Sequence, residues 1–243
     1  MKIPFGLMVG SVLLISAWSS WASETMVDGI WTYTVSGGEA TITAVSSTLE
    51  YMEIPSVVEH RTPNNLSILI ARYPVTSIGD DVFYGCKNLW GVKVPSGVTS
   101  IGSRAFYNCS ELVSVALPES VMSIGKDAFT GTGLLNDHSD GFVVIDGCLI
   151  KYKGSAPSGL TIPSDVRMIA DNAFDGQAGL ASITIPEGVK RIGNSVFHGC
   201  IGLKSVVIPS SVTSIGDEAF YYCHVLTSVT LPESLTSIGN SAF

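Results

Sequence analysis

The chain has 243 residues, of which 46% are hydrophobic and only 14% are charged, and its formal net charge at pH 7 is −8. Proteins that bind DNA or RNA need clustered Lys and Arg side chains to neutralise the phosphates. With 13 Lys and Arg residues against 21 Asp and Glu residues, the composition excludes nucleic acids from the expected partners.

Residues 1–22 are interpreted as a secretory signal peptide. Lys2 precedes an apolar run from Ile3 to Ala17, and small residues lead up to Ala22. This order is typical of a leader that is cleaved, here after Ala22. An uncleaved membrane anchor is the alternative, although the apolar run is short for a helix that spans a bilayer. We expect a secreted or cell-surface protein with no transmembrane segment beyond the signal peptide.

Residues 23–48 are predicted to form a hairpin. Apolar and polar residues alternate from Ile30 to Ala44, on both sides of the turn sequence Ser36-Gly37-Gly38-Glu39. Such alternation around a Gly-rich turn indicates two antiparallel strands. Because a repeat array follows, and the end of an array must shield its open core, we expect this hairpin to be the N-terminal cap.

From residue 49 onward, one pattern recurs with a step of 23 residues. Phe recurs with this step, apart from one interval of 45 residues, at Phe83, Phe106, Phe129, Phe174, Phe197, Phe220 and Phe243. Cysteine recurs in the same register at Cys86, Cys109, Cys200 and Cys223. A fixed period of this length is typical of stacked copies of one unit, none of which buries its apolar face alone. The predicted fold is a repeat solenoid with interior columns of Phe and Cys.

The unit at residues 203–223 shows how each coil is expected to fold. Alternating side chains at its start predict a short strand, and Pro209 ends the strand because Pro has no N–H for the next rung. Gly216 permits a sharp bend, and Asp217 is expected to cap a short helical turn that delivers Phe220 inward. The coils should consist of short parallel strands and short helical turns, with each buried Phe contributing ~1.5–3 kcal/mol.

Written once, the unit reads L-x-x-V-x-[LIV]-P-x-x-V-x-x-I-G-x-x-A-F-x-x-C, and residues 112–132 and 203–223 follow it almost throughout. Its opening matches the L-x-x-L-x-L signature of leucine-rich repeats, whose period includes 23 residues. The continuation resembles the BspA-like subfamily of leucine-rich repeats, and the match covers about four fifths of the chain. The resemblance implies a surface-exposed or secreted protein that adheres to host proteins or to other cells.

The array is expected to contain seven coils in two groups. Coils 1–3 occupy residues 49–134, with a protruding loop at residues 56–74. Residues 135–156 are interpreted as an insertion, in which Asp146-Gly147 predicts a type I′ hairpin. Coils 4–7 occupy residues 157–243, and the last coil stops before its Cys position. This stop predicts that further C-terminal repeats are missing; the alternative is a partial last turn that serves as its own cap.

The cysteines are expected to be buried thiols. Their spacing lacks the C-x-x-C pairs of zinc sites. Adjacent coils ~4.8 Å apart would place Cys86 and Cys109 near the lower edge of disulfide geometry, so an oxidised pair stays open as the alternative. Thr132 and Gln177 fill the same column, which favours thiols that pack as small apolar groups. Cys148 lies outside the column, in the predicted hairpin, where we expect it to be more accessible.

No catalytic residue, metal ligand or cofactor site is predicted. His138 has acidic neighbours in Asp137-His138-Ser139-Asp140, but adjacency in sequence is not the spatial arrangement that a nucleophile and a base require. His198 and His224 are interpreted as surface polar residues without a partner. The tyrosines beside the buried Phe column are interpreted as half-buried cover of the convex face: Tyr84, Tyr107, Tyr221 and Tyr222.

Two surfaces are candidates for binding. The outward positions of the main strand ladder are small and weakly polar, as at Ser182, Thr184 and Ser205, and suit a broad contact with a protein or glycan. The second candidate is a set that we call the basic patch, formed by Arg167, Lys190, Arg191, Lys151 and Lys153. On an acidic chain, we predict that this patch binds an anionic group of a glycan or protein. Ordinary solvated side chains are the alternative.

Three classes of function follow from these observations. The first is a non-enzymatic binding module for proteins or glycans of a host or neighbouring cell. The second is a structural spacer that projects a missing C-terminal domain. The third, an enzyme of the parallel β-helix type that acts on carbohydrates, is the least expected, because successive rungs carry no clusters of Asp or Glu.

Overall fold

The computed structural model describes residues 25–46, 50–62 and 65–243. The predicted signal peptide at residues 1–22 lies outside the described residues. None of the helices in the described ranges has the length and apolar character that a membrane crossing requires.

The described chain begins with three antiparallel strands, β1 (Thr25–Asp28), β2 (Trp31–Ser36) and β3 (Glu39–Val45). Ser36 faces Glu39 across the turn between β2 and β3. Tyr33, Ala40 and Ile42 are buried, because alternate side chains of these strands face the first coil.

A second hairpin follows the first rung of the array. Strand β4 (Tyr51–Glu53) is that rung, and β5 (Val57–Thr62) then pairs antiparallel with the long strand β6 (Asn65–Ile78). The prediction of a protruding loop at residues 56–74 is therefore wrong. β-Branched and aromatic residues in this stretch favour extended pairing over a loop. The end of β6 runs parallel to β3, which joins the N-terminal sheet to the array.

The strands after β6 have only two or three residues, except for the two longer strands of the inserted hairpin. They are β7 (Gly91–Lys93), β8 (Ser100–Ile101), β9 (Ser114–Ala116), β10 (Ser123–Ile124), β11 (Gly141–Ile145), β12 (Cys148–Lys153), β13 (Gly159–Thr161), β14 (Met168–Ile169), β15 (Ser182–Thr184), β16 (Arg191–Ile192), β17 (Ser205–Val207), β18 (Ser214–Ile215), β19 (Ser228–Thr230) and β20 (Ser237–Ile238). Each coil of the array contributes one strand to each of two parallel ladders. The first ladder contains β4-β7-β9 and β13-β15-β17-β19, and the second contains β6-β8-β10 and β12-β14-β16-β18-β20.

The register confirms the predicted solenoid. Ser182 pairs with Ser205, and Ser205 pairs with Ser228, each 23 residues apart. The Phe side chains from Phe83 to Phe220 are buried and stack along the array, with centroids 4.8 Å apart for Phe83 and Phe106 and 5.2 Å apart for Phe197 and Phe220. Stacked, buried rings make the Phe column the main apolar contribution to the core.

The segments that carry these Phe residues are turns and not the predicted helical turns. The one helix in the described residues is α1 (Gly133–Asn136). In each coil the residue two places before Phe has a left-handed φ, for example +55° at Glu218. The backbone N–H groups of these turns donate to the next coil, as from Glu218 to Asn240 and from Phe220 to Ala242. A helix would instead direct these donors to its own carbonyl groups.

The expected capping role of Asp217 is also corrected. Its Oδ1 accepts a hydrogen bond from the backbone N–H of Asn240 at 2.6 Å, one coil ahead, and not from its own turn. Asp80 and Asp171 make the same contact with Ser103 and Asn194. These carboxylates therefore fasten neighbouring coils together.

The hairpin of β11 and β12 divides the array at Asp146-Gly147. Strand β12 runs parallel to β14 and so supplies a rung of the second ladder. After β4, β7, β13 and β17 of the first ladder, the next residue donates its N–H to the following coil, but Leu117 after β9 instead donates to the Asp146 carboxylate at 2.8 Å. Asp146 therefore interrupts the first ladder after β9. The buried core forms two clusters, and the first of them includes Cys148 and Ile150 of β12.

Candidate functional site

The widest regular surface is the outward face of β13, β15, β17 and β19. Parallel pairing places Ser182, Ser205 and Ser228 in one row and Thr184, Val207 and Thr230 in the next. All six side chains are exposed, and the Val207 residue reaches 63%. We call this surface the ladder face.

The hydroxyl groups of the ladder face are free to bind a partner. Within the described residues, none of the Ser or Thr side chains of these two rows takes part in a hydrogen bond. Parallel rungs keep the rows straight, at ~4.8 Å per rung. Regularly spaced hydroxyl groups around an exposed Val side chain suit a broad contact with few deep pockets.

The first three rungs carry aromatic residues that the sequence analysis did not single out. Tyr51 and Trp90 are exposed, and their ring centroids lie 5.1 Å apart. Beside them, Lys93 Nζ lies 3.4 Å from Glu53 Oε1. Exposed Trp and Tyr side chains are enriched among residues that dominate protein interfaces. Trp90 directly precedes strand β7, and this position is the feature of the sequence that could have identified it as a surface residue.

The array has two blocks, coils 1–3 before the insertion and coils 4–7 after it. Arg167, the first member of the basic patch, connects these two blocks. Its guanidinium group donates to the carbonyl oxygens of Val121 at 2.7 Å, Pro118 at 2.9 Å and Glu119 at 3.2 Å. Its Nε donates to Asp146 O at 3.2 Å. The planar fork of five donors in Arg allows one side chain to satisfy several carbonyl groups.

Three more members of the basic patch also have partners inside the chain. Lys151 Nζ donates to Asn172 O at 3.0 Å, and Lys153 Nζ donates to Asn136 O at 2.9 Å. Arg191 Nη1 donates to Ser123 Oγ at 3.1 Å, across the junction between the blocks.

Lys190 is exposed, and among the described residues no hydrogen bond or ion pair of its side chain occurs. Four of the five members of the basic patch therefore already donate hydrogen bonds within the chain. Anion binding there stays a prediction that depends on Lys190.

Asp171 is a half-buried acid at this junction. Burial raises the pKa of its carboxyl group, and this effect exceeds the lowering by the Asn194 N–H and the nearby Arg191 charge. The positive charge of Arg191 therefore faces an acid of the same chain.

All five cysteines lie in the described part of the chain, and all are free thiols. The column thiols of Cys109, Cys200 and Cys223 each donate to the carbonyl oxygen of a Phe in the previous coil, at 2.9–3.2 Å. Cys148 is fully buried, so the expectation that it is accessible is wrong. Cys86 and Cys223 are instead the two partly exposed thiols.

The two interruptions of the Cys column lie beside the insertion. Thr132 Oγ1 accepts from Leu135 N and so caps α1, where the chain leaves coil 3. Gln177 donates to Gly154 O at 2.9 Å and accepts from Ala156 N at 2.7 Å, where the chain returns. Both positions hold polar side chains because they bind the ends of the insertion.

The histidines do not form a catalytic arrangement with the residues predicted beside them. His138 Nδ1 lies 2.7 Å from the Ser139 carbonyl oxygen, at the surface. His198 does have a partner, contrary to expectation: its Nδ1 lies 2.7 Å from Asp175 Oδ1. Within residues 25–46, 50–62 and 65–243, no three His, Cys, Asp or Glu side chains are placed to hold a metal ion.

A family model described as the BspA type leucine rich repeat region matches residues 61–139 and 151–243, in six copies. No curated protein matches the chain.

Several solved structures are similar. A leucine-rich repeat protein from Bacteroides ovatus is 30% identical over 88% of this chain, with a TM-score of 0.45, and the chain spans 55% of that protein's length. The Treponema pallidum leucine rich repeat protein is 26% identical, with 86% of this chain and 83% of that chain covered and a TM-score of 0.43. A leucine rich cell surface protein from Faecalibacterium prausnitzii is 22% identical, with 91% and 96% covered and a TM-score of 0.34.

Proposed function

This chain belongs to the BspA-type leucine-rich repeat family, and on that premise we propose that it is a non-enzymatic secreted or cell-surface adhesion module. The observation that carries the proposal is the ladder face, a straight array of exposed hydroxyl groups that make no hydrogen bonds within the described chain. A surface whose polar groups are unpaired keeps them available for a partner. The partner class is a protein or glycan on a host or neighbouring cell.

The aromatic pair Tyr51 and Trp90 supports the same function. These two exposed rings lie on the same ladder as the hydroxyl rows, in its first block. Large rings beside polar groups provide anchoring area at low cost in side-chain entropy. We therefore place the strongest contacts of a protein partner at Trp90 and the broad complementary contacts on the ladder face.

The proposal is tested by binding of the purified chain to immobilised extracellular-matrix proteins and to cells of a host surface. A Thr184→Arg/Thr230→Arg variant should lose binding, because both Arg side chains obstruct the Thr184–Val207–Thr230 row of the ladder face. The matched control is Thr213→Arg/Thr236→Arg, at exposed positions of the second ladder. Loss in both variants would contradict the assignment to the ladder face, and no binding by the wild-type chain would favour a structural spacer.

Export is the second part of the proposal. Expression of the full chain in a secretion-competent bacterium should give a mature product that begins at Ser23. N-terminal sequencing of the exported protein measures the cleavage site. Retention of residues 1–22 on a membrane-bound product would favour the uncleaved anchor instead.

A further inference from the structure

Tyr222 occupies a backbone position that the other coils reserve for small residues. Two places after each buried Phe, the chain adopts a left-handed φ at Gly85, Asn108, Gly131, Gly176, Gly199 and Tyr222. The φ of Tyr222 is +60°. Gly adopts this region freely and Asn tolerates it, but a bulky side chain there is strained. Of the six residues at this position, Tyr222 alone carries a ring.

The strained ring is the centre of an aromatic cluster. The Tyr222 ring centroid lies 4.3 Å from that of Tyr221, 5.7 Å from that of His198 and 5.4 Å from that of His224, each in an edge-to-face arrangement. Tyr222 is 51% exposed, so about half of its surface is accessible to a ligand. We call these four residues the aromatic cluster.

Polar groups form the rim of the aromatic cluster. Asp175 Oδ1 lies 2.7 Å from His198 Nδ1, and both side chains remain about one third exposed, at 36% and 33%. The neighbouring phenol group of Tyr222 raises the pKa of Tyr221. A carboxylate, imidazole groups and phenol groups can accept and donate hydrogen bonds at the edge of the ring surfaces.

We propose that the aromatic cluster with Asp175 binds a neutral pyranose of a glycan. A pyranose has an apolar face of C–H groups and a rim of hydroxyl groups, and this combination matches aromatic rings bordered by polar side chains. An acidic sugar is disfavoured because the chain carries a net charge of −8 and the site itself contains Asp175. Strain retained at an exposed side chain is typical of positions kept for binding.

The chain supplies an internal comparison in coils 1 and 2. There Tyr84 and Tyr107 stack with centroids 5.3 Å apart, in the column that holds His198 and Tyr221 in coils 5 and 6. In those coils the position equivalent to Tyr222, two residues after the buried Phe, holds Gly85 and Asn108. The pair Tyr84–Tyr107 therefore shares the backbone of the site but lacks its central ring.

The test is saturation-transfer NMR with methyl β-galactopyranoside, methyl α-mannopyranoside and N-acetylglucosamine, followed by an array of neutral oligosaccharides. We expect saturable transfer to at least one saccharide, with affinity weakened about tenfold or more by Tyr222→Gly. Tyr222→Gly introduces the residue of the other coils and removes strain, so its melting temperature should be unchanged or raised. Asp175→Ala should also weaken binding, whereas Tyr107→Ala should retain wild-type binding.

The outcomes separate the site from structural roles and from the ladder face. A lower melting temperature of Tyr222→Gly together with unchanged saccharide binding would overturn the proposal and assign Tyr222 to stability. Failure of every neutral saccharide on the array would also overturn it, as would binding of aromatic or proline-rich peptides alone. Each of these results leaves the ladder-face proposal standing, because Thr184→Arg/Thr230→Arg does not alter the aromatic cluster.

Discussion

The ring of Tyr152 stacks on that of Phe174, with centroids 5.8 Å apart and planes 21° apart. The backbone N–H of Tyr152 also donates to Ala173 O at 2.8 Å, in the same way as Phe174 N donates to Val196 O and Phe197 N to Ala219 O. A residue of the inserted hairpin therefore takes the place of a repeat Phe. The insertion therefore supplies the first stacked ring of coils 4–7, and it also interrupts the first ladder after β9.

The Phe column should dominate stability. Phe197→Ala is expected to lower the free energy of unfolding by ~3–5 kcal/mol, because the lost ring leaves a cavity between coils 5 and 6. Thr184→Ala on the exposed ladder face should change it by less than ~0.5 kcal/mol. Urea unfolding followed by circular dichroism measures both values. Similar losses for the two variants would contradict the register of the solenoid.

Arg167 should act through stability. Arg167→Ala leaves the carbonyl groups of Pro118, Val121 and Asp146 without this donor, so we expect a loss of roughly 1–3 kcal/mol in unfolding free energy. Arg167→Lys should restore little of it, because an ammonium group cannot reproduce the planar fork. Lys190→Ala is the control and should leave stability unchanged.

The variants Arg167→Ala and Lys190→Ala also test anion binding by the basic patch. If the patch binds anions, Lys190→Ala should weaken binding to sulfated glycans at low salt, and higher salt should remove the difference. Unimpaired stability of Arg167→Ala together with lost glycan binding would show that Arg167 acts as a ligand and not as a clamp. Equal binding by Lys190→Ala and wild type would remove the patch as a site.

The two partly exposed cysteines should differ in reactivity. The neighbouring thiol of Cys109 lowers the pKa of Cys86 to about 7, whereas burial raises that of Cys223 to about 11. Since the thiolate is the nucleophile, iodoacetamide should label Cys86 near pH 7 and leave Cys223 largely unmodified. Peptide mass spectrometry over a pH series measures both profiles. Cys109→Ala should move the Cys86 profile to higher pH, and Cys200→Ala should not.

Oxidation of the column would give a different result. An intact mass lower by two hydrogens, mapped to Cys86 and Cys109 or to Cys200 and Cys223, would contradict the free-thiol structure. Labelling of Cys148 in the folded protein would contradict its burial.

Asp171 should make stability depend on pH. Its pKa is raised in the folded chain, so the folded state takes up a proton before the unfolded chain does, whose Asp groups titrate near ~3.9. The contribution of this group to stability is therefore least favourable at neutral pH and improves as the pH falls towards about 4. Asp171→Asn lacks this titration, so its melting temperature relative to wild type should be highest at neutral pH and should decline on acidification.

Ser182→Ala is the control for that series, because it changes an exposed side chain that does not titrate. Its difference from wild type should stay constant across the pH range. A constant difference for Asp171→Asn as well would show that Asp171 does not contribute to the pH dependence.

The 23-residue period was sufficient to predict the solenoid, because it places each Phe and each Ile-Gly pair at an equivalent position of its coil. It did not reveal the left-handed turns, since residues as different as Asp81, Arg104 and Ser195 adopt the same φ sign. Their conformation is imposed by hydrogen bonds to the next coil, which local preference does not encode. The hairpin of β5 and β6 was missed because residues 56–74 break the repeat spacing.

The partners of Arg167 could not be predicted from the sequence, whereas the outward positions of the ladder face could, and the reason is physical. Arg167 reaches carbonyl groups 46–49 positions earlier in the chain, and no local pattern indicates such a partner. The ladder face followed directly from alternation within each strand, since residues 182, 184, 205 and 207 all point outward. The aromatic cluster depends on the φ of Tyr222, which became evident only when the coils were compared by position.

Nearly every contact that holds a coil in place reaches a residue about 23 positions away, as from Asn240 to Asp217 and from Asp217 to Asn194. Each 23-residue unit therefore contains the groups that hydrogen-bond to the coil before it and to the coil after it. Duplication or deletion of one whole unit in the coding sequence would leave the remaining contacts intact, whereas a shift by a single residue would break them all. The architecture thus permits recombination to lengthen or shorten the array in complete coils, so that binding surface can evolve by copy number as well as by substitution.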